Sequence, residues 1–105
     1  MNGNADETRR KELGRQIMLE VIGEDYFKQR EATTNSFNAD LRDLSEKLCY
    51  GDIWSRPGLE RKVRSMLCIA MLAASGRTGE VRIHVDGALN NGCTPEEIKE
   101  VILQI

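Results

Sequence analysis

The chain has 105 residues, 40% of them apolar and 30% charged, with a formal net charge of −2. That length suits one domain built on one core, so residues 1–105 are expected to form a single unit. The mild, interspersed charge excludes the basic footprint of a nucleic-acid binder and the basic patch of a membrane-surface protein.

The stretch from Met1 to Glu7 is polar and acidic. It lacks the apolar centre of a secretory signal, which predicts a cytoplasmic protein. Asp6 is placed to cap a first helix, with Glu7 in its first turn. Leu13, Ile17, Leu19, Val21 and Ile22 mark an imperfect apolar stripe of that helix, which also takes in Met18. Gly14 interrupts the stripe at a cost of about 1 kcal/mol, which points to a close approach by another helix. Gly23 supplies the stop. Tyr26 to Thr34 is weakly patterned and reads as a short helix or a loop.

From Phe37 the pattern sharpens. Phe37, Leu41, Leu44, Leu48 and Cys49 share one helical face, with Asn35 or Ser36 as the cap and Gly51 as the end. Asp52 to Leu59 reads as a loop, because Pro57 and Gly58 punctuate it and Arg56 precedes a proline. Trp54 in this loop is either a core plug or a pocket wall. Leu59 to Ala74 is the next helix. It has a charged entry (Glu60, Arg61, Lys62, Arg64) and is then apolar from Met66 to Ala74. That run is too short to cross a bilayer, which takes about 20 residues. A helix with no polar face is expected inside a bundle or at an oligomer interface. Gly76 suits its left-handed cap.

Gly79 to Asn91 carries the one histidine. Val81, Val85, Ala88 and Leu89 form its buried stripe, and Glu80 and His84 stand one turn apart beside that stripe. The two side chains make either an acid–base pair or an ordinary helical surface pair, and a lone histidine at such a place also serves as a hydrogen-bonded core residue. Asn90, Asn91 and Gly92 end the helix. Thr94-Pro95-Glu96-Glu97 then reads as a capping box with proline at the first position, followed by Ile98, Val101, Ile102 and Ile105 at helical spacing. The three cysteines, Cys49, Cys68 and Cys93, form no C-x-x-C and have one histidine between them. Neither a zinc site nor a disulfide framework is expected, and the thiols are expected to be reduced. Every element is helical, so the fold class is all-α.

Four motifs in order resemble the bacterial 4-carboxymuconolactone decarboxylase family: Gly51 to Leu59 (Gly-Asp-Ile-Trp-Ser-Arg-Pro-Gly-Leu), Arg64-Ser65, Glu80 to His84 (Glu-Val-Arg-Ile-His), and Asn90 to Gln104. A fainter match at Arg9, Gly14 and Gly23 extends the resemblance over nearly the whole chain. It implies an all-helical bundle of the alkylhydroperoxidase D-like type, assembled as trimers or hexamers. It also implies loss of carbon dioxide from 4-carboxymuconolactone without metal or organic cofactor, giving the enol-lactone of β-ketoadipate in the protocatechuate branch of aromatic catabolism. His84 would then be the proton donor and Glu80 its partner. Arg56 and Arg64 would receive carboxylates, Ser65 joins Arg64 as a substrate-binding candidate, and Trp54 would exclude water. The two arginines serve equally well as interfacial ion-pair partners. Members of the family continue past the position of Gln104 into a further helical segment that this chain is expected to lack. The competing reading is therefore an inactive relative that keeps only the oligomeric fold. Thiol peroxidases of the same fold place cysteines where this chain has Arg77 and Glu80, and a glutamate where it has Ser65, so redox chemistry of that kind is not expected.

Overall fold

A computed structural model describes residues 2–105. Among the described residues every regular element is a helix, as the periodicities predict. The chain divides into two compact units, one running to Glu20 and taking in Glu24–Pro57, the other comprising Val21–Gly23 and Gly58–Ile105. No helix among the described residues is long and apolar enough to cross a membrane.

The first unit begins with α1 (Asn2–Ile22), which starts before the expected cap. Asp6 lies inside the helix, where its carboxylate accepts from Arg9 one turn on rather than capping a helix end. Gly23, at φ 102°, turns the chain directly into α2 (Glu24–Ala32). The weak pattern of α2 is compensated by tertiary contacts: Arg15 forks the Glu31 carboxylate at 2.8 and 2.9 Å and lies 4.9 Å over the Phe27 ring. Asn35 caps the following turn, its Oδ1 accepting the N–H groups of Phe37 and Asn38.

Helix α3 (Ala39–Leu44) then continues as a π-helix over Ser45–Ile53, its last N–H running from Trp54 to the Cys49 carbonyl at 2.9 Å. The helix therefore passes through Gly51, where an end is expected, and takes in the first part of the predicted loop. The reason is packing. A Cβ on Gly14 would sit 1.7 Å from the Glu46 carbonyl oxygen, and one on Gly51 would sit 2.7 Å from that of Arg10. Gly51 serves here as a contact surface for α1 rather than as a stop. Two charged links hold the contact: Arg10 forks Asp52 at 3.0 and 2.7 Å, and the buried Glu46 accepts from Arg30 at 2.6 Å and Arg15 at 3.3 Å.

The second unit is built from α4 (Arg61–Ala74), α5 (Thr78–Asn90) and α6 (Pro95–Gln104). Its core is Ile69, Ala88, Cys93 and Ile98, with Met66, Val85 and Val101 packed against it. The end of α1 joins this unit at Gly87, where an added Cβ would lie 3.1 Å from the Val21 carbonyl oxygen. A single chain does not enclose helix α4 on all sides, so of the two places expected for it the inside of a bundle is not met within one chain. Ser65 and Ile69 are buried, while Leu67 and Met71 are 46% and 62% exposed, because α5 and α6 cover only one side of it.

The start of α6 is the expected capping box. Thr94 Oγ1 accepts from the Glu97 N–H at 3.1 Å, and the Thr94 N–H donates to Glu97 Oε1 at 2.9 Å. Thr94→Ala removes the cap acceptor and should lower the unfolding free energy by about 1 kcal/mol in urea melts. Thr94→Ser, which keeps the hydroxyl, should lose less than half of that.

Candidate functional site

The candidate residues fall on both units. Trp54, just beyond the π-helix, is buried and stacked on Tyr50 with ring centroids 5.7 Å apart. Arg56 is exposed in the turn that follows, its N–H donating to the Ile53 carbonyl at 3.0 Å. Both belong to the first unit. Arg64, Ser65, Glu80 and His84 belong to the second.

Within the second unit, Gly76 at φ 77° reverses the chain after α4 and lets α5 begin at Thr78. Glu80 falls in the first turn of α5, where a carboxylate complements the helix dipole, and His84 follows four residues later on the same face. His84 is partly buried. That burial holds its imidazole below the usual histidine range, and the nearby Glu80 charge pulls the other way. The Glu80 carboxyl is held below its usual range chiefly by a hydrogen bond from Arg77. Arg77 Nε stands 2.5 Å from Glu80 Oε2 and Nη2 stands 2.6 Å from Oε1, so both carboxylate oxygens accept from one guanidinium. Glu80 thus acts on His84 through its field.

Ser65 is buried on α4, and its Oγ accepts from Asn91 Nδ2 at 2.9 Å. Asn91 lies seven residues past His84, about 10 Å along the axis of α5 at a rise of 1.5 Å per residue. Ser65 therefore sits at the opposite end of the α4–α5 pair from Arg77. Arg64 precedes it on α4 and is partly buried. Between α4 and α6 runs an apolar groove of about 770 Å³, lined by Val63, Met66, Leu67, Ala70, Val101 and Ile105 among others, with Glu96 and Glu100 at its edge. None of the six candidate residues lines it.

Among the described residues no group of three or more His, Cys, Asp or Glu side chains is placed to hold a metal ion. The Cys93 Sγ is buried 3.6 Å from the Lys62 carbonyl oxygen, and burial raises its thiol above the usual range, an inert environment. Two partners escaped the reading of the sequence. Arg77 stands three residues before Glu80, a spacing that itself suggests an ion pair. Asn91 had no such signal, since its contact with Ser65 is set by the packing of α5 on α4.

Fold and site together define a small all-α protein with an imidazole and a carboxylate on one helix face. Residues 39–105 match the model of the carboxymuconolactone decarboxylase family, and the chain belongs to that family. It is 42% identical over 98 residues to a 4-carboxymuconolactone decarboxylase of Acinetobacter baylyi, an alignment covering 93% of this chain and 72% of the relative. It is 32% identical over 90 residues to the nitrosuccinic acid decarboxylase of Metarhizium robertsii, covering 86% of this chain and 63% of that relative.

Proposed function

We propose that this protein is a cofactor-free carboxy-lyase acting on 4-carboxymuconolactone, or a related unsaturated lactone acid, in the protocatechuate branch of aromatic catabolism. The observation that carries the reading is the 42% identity to a relative named for that activity, together with a lone, partly buried imidazole that a carboxylate field biases. Both relatives are named as decarboxylases. The two acids in those names share a chemical feature, a departing carboxylate attached close to an electron-withdrawing group.

In 4-carboxymuconolactone the C–C bond to the departing carboxylate breaks, and its electron pair flows through the conjugated ring into the lactone carbonyl. The resulting dienolate then takes a proton on carbon. The protein's task is to hold the carboxylate out of water, steady the oxyanion and deliver that proton. His84 is the donor. Burial keeps it largely neutral in the free protein. An arriving carboxylate raises its pKa and charges it, so substrate binding itself loads the acid. Glu80 contributes fixed negative charge that favours the charged imidazole. Arg64, on the same unit as His84, receives a carboxylate through its fork. Ser65, next to Arg64 on α4, is held by its bond with Asn91. Trp54 excludes water from the first unit's core.

The protein acts in the cytoplasm as a homo-oligomer, a trimer or hexamer. Support comes from the apolar surface that one chain leaves uncovered, including Met71, Ile102, Leu103 and Ile105.

The test is release of carbon dioxide by purified, chelator-dialysed protein from a panel of unsaturated lactone acids and nitrosuccinic acid. Stoichiometric release from 4-carboxymuconolactone, undiminished by the chelator, is expected. Release from no member of the panel would leave the inactive relative as the better reading.

A further inference from the structure

Glu80 has two neighbours on its own segment that can carry positive charge: Arg77 three residues before it and His84 four residues after it. The spacing to His84, with the acid on the N-terminal side, is the favourable orientation for an i,i+4 pair. Yet both Glu80 oxygens point back to Arg77, at 2.5 and 2.6 Å. A guanidinium is permanently charged and its planar fork fits a carboxylate, so it wins the contest against a largely neutral imidazole.

We propose that Arg77 is a positioning residue that withholds the Glu80 carboxylate from His84 and so governs how readily the imidazole takes up its proton. The proposal rests on His84 as proton donor for its role in turnover, but the competition itself is a property of the resting protein. Arg82 and Asp86 on α5 are exposed. Helix α4 carries its charges in its first turn, at Arg61, Lys62 and Arg64, and none from Ser65 to Ala74. On α6 stand Glu96, Glu97, Lys99 and Glu100, with Glu97 tied to Lys62 at 2.9 Å. Glu80 is the charged group whose field bears on the imidazole.

The latch is solvent-exposed, at 62% for the Arg77 side chain and 43% for Glu80. It therefore contributes little to stability, and its loss leaves the fold intact. The experiment is an NMR titration of the one histidine in wild type, Arg77→Ala, Glu80→Gln and the double variant. Arg77→Ala should raise the His84 pKa by about 0.3 pH unit, the size expected when an i,i+4 pair forms. In the Glu80→Gln background the same change should raise it by less than half as much, since only the direct repulsion between Arg77 and the imidazole is then relieved. No rise, or an equal rise in both backgrounds, would overturn the proposal. The pH profile of kcat/KM forms a separate arm. If the titration moves and the profile does not, Arg77 still controls Glu80, and it is His84's role in turnover that fails.

Discussion

His84→Ala is expected to lower kcat on the lactone substrate by about 10²- to 10⁴-fold, the usual contribution of a positioned general acid. The loss should fall on kcat more than on KM, because in the proposed mechanism the proton moves only after the carboxylate has begun to leave. His84 is partly buried and outside the core cluster, so a folded variant is expected and circular dichroism can verify it. Undiminished turnover would remove His84 from the mechanism.

The pH dependence should carry the same signature. Burial lowers the imidazole pKa in the folded protein, so a proton donor at His84 is loaded in the free protein only below the usual histidine range. The kcat/KM profile should therefore fall as pH rises through that depressed value. The kcat profile, which reports the loaded complex, should fall at higher pH, because bound carboxylates stabilise the imidazolium. Stability runs the other way. Between the folded pKa and about 6.5 the unfolded chain binds more protons, so folding is favoured as pH rises through that window and weakened as it falls. His84→Gln should flatten that slope.

What could be read from the sequence was what is local. The Thr94–Glu97 box lies within one turn and forms as its spacing predicts. Gly23, Gly76 and Gly92 adopt the positive φ that their positions after helices require. Glu80 and His84 share a face because both lie on one helix. What could not be read depends on partners distant in the chain. Glu46 carries no signal of burial in the sequence, yet it is 3% exposed, paired with Arg30, which is 8% exposed. Its burial follows from the packing of α1 on the π-helix, which no window of sequence contains. The grip of Arg77 on Glu80 was available from spacing, but the competing spacing to His84 is equally good. Geometry, not pattern, decides between the two.

Gly14→Ala should be the most destabilising single-methyl change in the chain, costing about 4 kcal/mol or more. The added carbon would meet the Glu46 carbonyl oxygen at 1.7 Å and the Gly51 nitrogen at 3.0 Å, both backbone atoms. Ordinary overpacking costs about 1–3 kcal/mol because side chains can turn aside. Here nothing can rotate away, and relief requires α1 and the π-helix to separate. Separation would also part Arg10 from Asp52 and Arg15 from Glu46, leaving a buried carboxylate with fewer donors. Gly79→Ala is the matched control, since it lies in α5 with no atom within 4 Å of an added Cβ. It should stabilise by about 0.5–1 kcal/mol through the helix preference of alanine alone. Urea melts of the two variants should thus move in opposite directions. A Gly14→Ala midpoint within error of wild type would mean that the two backbones are not in contact, and the packing reason for a helix that runs on through Gly51 would fall with it.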